Sequence, residues 1–255
     1  MIAMQAETSL LLGALRVVSG LIFVVVVPLL LISSSVRMLV LDAGWYASAF
    51  VRHGGVAATG LSPDQLREVG QAFVDYFQSP PGRMDVQVEL GGERRPLFNE
   101  REIKHMEDVQ HLVFLVFRVQ ELSAAYALFF VLVTLATGRE TFWRTIASWT
   151  LAGAALTLAI VAVLGVLTLV DFQSLFVRFH LISFTNDLWI LDPRTDYLIR
   201  LMPLGFFIEA TLRLALTTVA GAVVLEEVLR ALGVEEMVVS ETDLLLGVLL
   251  ERLWP

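Results

Sequence analysis

The four histidines are the residues of this chain best suited to acid and base chemistry. They are His53, His105, His111 and His180, and each lies at or outside the outer end of a long apolar run. Histidine is the side chain that titrates near neutral pH without a shifted pKa, so histidines on one face of a protein are candidates for proton transfer. Their position alone does not separate a catalytic ring from a solvated one.

The neighbours of His105 give it a second property of a general base. Arg101, His105 and Asp108 follow one another at spacings of four and three, so on a helix they share one face. Asp108 can then orient the His105 ring by bonding to one of its nitrogens. The alternative is a solvated, charge-rich first turn above a membrane span, and the spacing leaves both interpretations open.

Neither a metal site nor a cofactor site is predicted. His105 and His111 are six residues apart, which is about 240° around a helix, so they cannot share one metal ion. The chain has no cysteine, which excludes thiol nucleophiles and cysteine-ligated zinc. His53 beside Gly54 is interpreted as a loop residue, and His180 taken alone as an imidazole at a membrane surface.

These side chains must be positioned by helices that cross a membrane. Of the 255 residues 56% are hydrophobic and 17% are charged, and the mean hydropathy is +0.73. One soluble core of ordinary composition cannot bury that much apolar surface, and a helix needs about 20 apolar residues to cross a bilayer. Four such runs predict an all-α membrane protein with four transmembrane helices, over residues 10–40, 112–137, 145–170 and 201–225. The net charge of −8 argues against a nucleic acid partner, because phosphate binding needs a basic face.

Two polar segments are predicted to lie on the same side of the membrane. Residues 42–110 separate the first span from the second, and residues 171–203 separate the third from the fourth. The short loop 138–144 carries two arginines against one acid, so it is predicted to be cytoplasmic. Both polar segments are then extracytoplasmic, an acidic tail of residues 226–255 is cytoplasmic, and the whole chain forms a single membrane domain.

The first polar segment is predicted to be α+β. Ser62 followed by proline predicts the start of a helix, and Gly91-Gly92 between two alternating stretches predicts a small hairpin. Asn99 with Glu102 three residues later is typical of a capping box, which begins a helix that runs unbroken into the second span.

The second polar segment is predicted to begin with an interfacial helix, because apolar residues recur there at helical spacing. They are Phe172, Leu175, Phe176 and Phe179.

Charged residues also occur inside two of the spans. Arg118 and Glu121 lie in the second span, and Glu209 and Arg213 in the fourth. Each costs at least ~2.5 kcal/mol inside a membrane, so these residues are expected to face the interior of the bundle. They form either a structural lock, with pairing available within each helix, or the wall of a functional cavity.

Two motifs resemble a known bacterial membrane family. They are NEREIKHMEDV over residues 99–109 and FHLISFTNDLWILDPRTD over residues 179–196, followed by Pro203 and Phe206-Phe207. Both are similar to the family of the lipoprotein intramolecular transacylase. The resemblance extends to the arrangement of four spans and two outer segments.

The resemblance implies an acyl transfer at the outer leaflet of the bacterial cytoplasmic membrane. The sn-2 acyl chain of an S-diacylglyceryl cysteine moves to the free α-amino group of that cysteine, which leaves the lyso form of the lipoprotein. The expected partners are therefore the diacylglyceryl lipoprotein and membrane lipids. An ester converted to an amide runs downhill and needs no cofactor.

The resemblance also implies that His105 and His180 are the two catalytic residues. An α-amino group has a pKa of about 8 and must lose a proton before it attacks. His180 is interpreted as the base toward the amine, and His105, oriented by Asp108, as the acid that protonates the departing glycerol oxygen. The two roles can be exchanged.

The remaining site residues are assigned supporting roles. Asn186, Arg101 or Arg118 can donate to the oxyanion, and Asp187 and Trp189 are interpreted as shaping the second polar segment.

Two other classes of function stay open. One is a non-catalytic four-span scaffold or sensor, which a separation of more than about 10 Å between His105 and His180 would favour, because proton transfer works over ~3 Å or through one water. The other is a metal-dependent hydrolase that uses both histidines and a carboxylate.

Overall fold

Four long helices carry most of the chain, which is seen here as a computed structural model. The structure describes residues 2–231, with the backbone alone for residues 2–6, 8 and 9. The elements are α1 (Ile2–Val40), α2 (Ala43–Arg52), α3 (Gly55–Thr59), α4 (Pro63–Gln78), β1 (Gln87–Leu90), β2 (Glu93–Pro96), α5 (Glu100–Thr137), α6 (Phe142–Ser183), α7 (Tyr197–Leu201) and α8 (Leu204–Ala231).

The helices α1, α5, α6 and α8 are long and apolar enough to cross a membrane. This confirms the four predicted spans, although the helices end at other residues than the apolar runs that predicted them, and α8 begins at Leu204 rather than at residue 201. The first begins at Ile2 rather than Leu10, and the last continues to Ala231. Of the predicted acidic tail, residues 232–255 lie outside the described part of the chain.

The described residues form two compact units. The first comprises residues 2–32, 119–162 and 217–231. Its helices approach closely where small residues leave room, since a Cβ added at Gly20 would lie 2.2 Å from Cε2 of Trp149. Phe23 and Phe130 stack beside this contact with their ring centroids 4.5 Å apart.

The second unit comprises residues 33–118 and 163–216, and it holds a larger, aromatic core. Tyr46 and Phe50 of α2 pack against Phe73 of α4 and Phe206 of α8, with centroid distances between 5.5 and 6.4 Å. The helices α2 and α4 meet at Gly70, where an added Cβ would lie 3.0 Å from Cβ of Tyr46.

The predicted α+β character of the first polar segment is confirmed. Ser62 and Gln65 form a capping box at the start of α4. The strands β1 and β2 pair antiparallel, with Leu90 opposite Glu93. Gly91 and Gly92 form the turn with φ of 66° and 84°, values that favour glycine.

A break in α6 separates the predicted third span from the helix that follows it. Asp171 has φ −159° and ψ 82°, and its side chain accepts from the backbone N–H of Ser174 at 3.0 Å, which starts the helix again. A helical segment that carries Phe172 and Phe176 therefore follows the span. Its interfacial placement stays a prediction.

Candidate active site

His105 and His180 come together within the second unit. His105 lies on the second turn of α5, and His180 lies on the part of α6 that follows the break at Asp171. Their ring centroids are 6.1 Å apart with planes inclined by 32°, and the two residues are only 6% and 7% exposed. One substrate group or one water molecule between the rings can therefore contact both.

The His180 ring is held by its own helix. Its Nδ1 lies 2.8 Å from the carbonyl oxygen of Phe176, and because a carbonyl only accepts, Nδ1 must carry the hydrogen. In the neutral ring the lone pair is then on Nε2. His180 is thus set up to accept a proton through Nε2.

Aromatic rings enclose both histidines. The Phe176 and Trp189 rings lie 4.2 and 5.0 Å from the ring of His180. Phe184 contacts both histidines, at 5.2 Å from His105 and 5.6 Å from His180. This apolar enclosure keeps water away and strengthens electrostatic interactions within it.

The prediction that Asp108 forms a hydrogen bond to His105 is wrong. Oδ2 of Asp108 instead accepts from Nδ2 of Asn186 at 2.9 Å, and Oδ1 of Asn186 accepts from the backbone N–H of Leu188 at 3.0 Å. The carboxylate therefore serves the second polar segment rather than the ring. Nδ1 of His105 is buried and has no hydrogen-bond partner among the described residues.

Three side chains at the head of α5 hold the second polar segment, and we call Asn99, Arg101 and Glu102 the clamp. The capping box is confirmed, since the Asn99 N–H donates to Oε2 of Glu102 at 2.8 Å. Oε1 of Glu102 accepts from the Leu198 N–H at 2.6 Å, and Nδ2 of Asn99 donates to Oδ1 of Asp196 at 2.9 Å.

Arg101 completes the clamp by donating to backbone carbonyls. Its guanidinium bonds to the carbonyl oxygens of Asp187 and Leu188. Those donors are thus used for the fold of the second segment. Arg101 therefore holds the second polar segment through these two carbonyls.

Asp196 is an ionised anchor for the clamp. Its burial favours the neutral acid, but hydrogen bonds from the Asp192 N–H, the Thr195 hydroxyl and the Asn99 amide, with the charge of Arg101, outweigh this and lower its pKa. At neutral pH a charged acceptor therefore faces the head of α5.

The model of one protein family matches most of the chain. That family is the lipoprotein intramolecular transacylase Lit, and the match covers residues 21–207, which include both histidines. The chain belongs to the Lit family.

Solved structures of a Lit protein have the same fold. The Lit structure from Bacillus cereus aligns with a TM-score of 0.74 at 18% identity, over 88% of this chain and 99% of the other. Two further structures of the Bacillus cereus protein, each with a substitution at one histidine, align with TM-scores of 0.72 and 0.71 at the same identity. They cover 91% and 90% of this chain and 98% and 99% of theirs. No curated protein matches the sequence.

Membership of the Lit family fixes the general activity. The protein is a multi-pass membrane enzyme, an acyltransferase that carries out intramolecular acyl transfer in lipoproteins. The scaffold interpretation is therefore wrong.

One of the predicted supporting residues of this Lit protein, Arg118, lies away from the histidines. Arg118 is exposed on α5, and thirteen residues separate it from His105, which is about 20 Å along the helix axis. Glu121 belongs to the first unit. Among the described residues no group of three His, Cys, Asp or Glu side chains can hold a metal ion.

His53 is more than a loop residue. It is the C-cap of α2, and its Nε2 lies 2.8 Å from Oε2 of Glu209. The same carboxylate accepts from Arg52 and from Nε1 of Trp45. Glu209 therefore joins α8 to α2, which favours the structural lock over a cavity wall at this position.

A second ion pair joins the same two helices at Arg213. Its guanidinium contacts Oδ2 of Asp42 at 2.6 Å. The fourth predicted span is thus tied to the start of the first polar segment, from a residue one turn beyond Glu209.

Sequence reasoning missed three residues of the Lit site. Glu102 was predicted only as a helix cap, yet it is fully buried and reaches Leu198. In the sequence, Asp196 and Phe184 are only members of a longer motif. The one available signal was their position inside the two motif segments.

Proposed function

We propose that this enzyme moves the sn-2 acyl chain of an S-diacylglyceryl cysteine to the α-amino group of the same cysteine and leaves a lyso-lipoprotein. The reaction takes place at the outer face of the bacterial cytoplasmic membrane. There the polar segments 42–110 and 171–203 meet the lipoprotein headgroup, while membrane lipids surround the spans and the tail of residues 226–255 lies inside. Family membership and the four apolar helices support this proposal.

The observation that carries the proposal is the approach of the two buried histidines, 6.1 Å apart although 75 residues separate them along the chain. The amine and the ester belong to one molecule, so holding them together replaces a bimolecular encounter, with effective molarities of ~10⁵ M or more. Ester to amide conversion is downhill. The site then needs only a few residues, which transfer protons and stabilise one oxyanion.

His180 acts as the base and His105 as the acid. The neutral amine attacks the ester carbonyl, its nitrogen forms the new C–N bond, and Nε2 of His180 takes the proton that it loses. The C–O bond to glycerol then breaks. The proton passes from the His180 imidazolium to His105 through one intervening water, and His105 gives it to the departing glycerol oxygen, so both rings are neutral before and after the reaction.

The assignment of His180 as base rests on its hydrogen bond to Phe176. That bond fixes the hydrogen on Nδ1 and leaves Nε2 as the acceptor. His105 has a buried Nδ1 without a hydrogen-bond partner among the described residues.

Asn186 is the donor that we assign to the oxyanion. One hydrogen of its amide is bonded to Asp108, and the other has no partner among the described residues. Removal of one such donor typically costs about 100-fold to 1,000-fold in kcat.

The proposal is tested by three single variants, H105A, H180A and H111A, in a bacterial host without this activity. Lyso-lipoprotein formation is followed by mass spectrometry of lipopeptides. H105A and H180A are expected to lose product, whereas H111A keeps it, because His111 is exposed and has no role in the mechanism. Full activity in H105A and in H180A would remove the proposed mechanism.

A further inference from the structure

We propose that Glu102 is a positioning residue of the transacylase reaction, and that its carboxylate, together with Asn99, fixes the head of α5 against the second polar segment so that His105 and His180 face each other. The inference rests on the proposed roles of these histidines. It assigns a function to a buried acid that the mechanism itself does not use.

Glu102 is built into a contact that joins distant parts of the chain. It is 0% exposed, and its two oxygens accept from different backbone N–H groups, Asn99 at one side and Leu198 at the other. Leu198 is 96 residues further along the chain. One side chain therefore joins the start of α5 to the start of α7.

The contact made by Glu102 also affects the positions of the two histidine rings. Glu102 lies three residues before His105, so the two lie on one side of α5. The segment that it holds runs through Trp189, whose ring lies 5.0 Å from that of His180, and through Asn186, which bonds to Asp108. If the clamp opens, both sides of the site shift together.

The contact requires a carboxylate and not merely a polar group. Both partners are N–H donors, so a carboxamide at residue 102 can satisfy one of them with its oxygen but must turn its NH₂ group toward the other. E102Q thus keeps the size of the side chain and removes one half of the contact. Glu100 is the matched control, because it lies on the same turn but is exposed and pairs with Arg83.

Kinetics in detergent with a synthetic diacylglyceryl lipopeptide test the proposal. E102Q is expected to lower kcat by about 100-fold, the cost of a misplacement on the order of 1 Å, with KM unchanged, while E100Q behaves as the parent protein. Equal kcat in E102Q and the parent, or a loss of kcat that only follows the fraction of unfolded protein, would overturn it.

A second pair of variants covers the case in which E102Q does not fold. N99D keeps the helix cap, since aspartate caps as well as asparagine, but it places a carboxylate against that of Asp196. The reversed pair N99D/D196N again offers an amide to a carboxylate. N99D is expected to lower kcat and N99D/D196N to restore it, and a double variant no more active than N99D contradicts the proposal.

A distance measurement separates this proposal from the proposed catalytic roles. The chain has no cysteine, so K104C and T185C accept spin labels at two exposed sites, one on α5 and one in the second polar segment. The label distance is expected to broaden in E102Q and to stay narrow in E100Q. This readout does not depend on activity, so a narrow distance in E102Q refutes the positioning role, whereas activity in H105A and H180A refutes only the catalytic roles.

Discussion

Replacement of Trp189 measures how much the aromatic enclosure contributes to catalysis. When His180 takes the proton of the amine it becomes an imidazolium, and the Trp189 ring lies 5.0 Å away at an inclination of 35°. A cation over an indole face in a desolvated site gains about 2 kcal/mol. Because each 1.36 kcal/mol changes a rate tenfold, W189L is expected to lower kcat about 30-fold.

A graded series separates this electrostatic effect from lost packing. W189F keeps a weaker aromatic face and is expected to lose roughly fivefold in kcat, about half of the effect on a logarithmic scale. Product is quantified by mass spectrometry at saturating lipopeptide, with melting temperatures recorded for each variant. W143L, at a half-exposed residue of the first unit, serves as control. Equal losses in W189L and W189F, or an undiminished kcat in W189L, would refute the reasoning.

Three predictions concern stability and are checked by thermal unfolding in detergent. G70A is expected to destabilise by about 1–3 kcal/mol, because its Cβ would press on a tyrosine Cβ at 3.0 Å. A Cβ added at Gly82 would have its nearest neighbour at 3.7 Å, so G82A should have the melting temperature of the parent protein. F50A, at a fully buried ring, should cost about 3–5 kcal/mol, whereas L122A, 70% exposed, should cost far less. E209Q should lower stability by about 1–2 kcal/mol through weaker hydrogen bonds to its partners on α2, with kcat per folded molecule unchanged.

The spans and the caps were predictable because their signals are local. Hydropathy over about 20 residues located all four long helices. Asn99 and Glu102 gave the start of α5, since a capping box involves only four consecutive residues. The predicted helix ends were less accurate, because a helix can continue past its apolar run where its polar residues are solvated.

The contacts that build the site had no local signal. Glu102 meets Leu198, and His53 meets Glu209, across 96 and 156 residues, and neither spacing nor composition states which acid faces which donor. The wrong pairing of Asp108 with His105 arose in the same way. Asp108 lies one turn from His105 on the same helix, but its carboxylate accepts a hydrogen bond from the Asn186 amide of the second polar segment.

The hydrogen bond from His180 to the Phe176 carbonyl links two residues one turn apart on the same helix. The direction of the imidazole relative to its helix is therefore set within that helix, while its distance from His105 still depends on the clamp. The proton acceptor is aimed before the lipoprotein arrives, so none of the binding energy has to be used to align it.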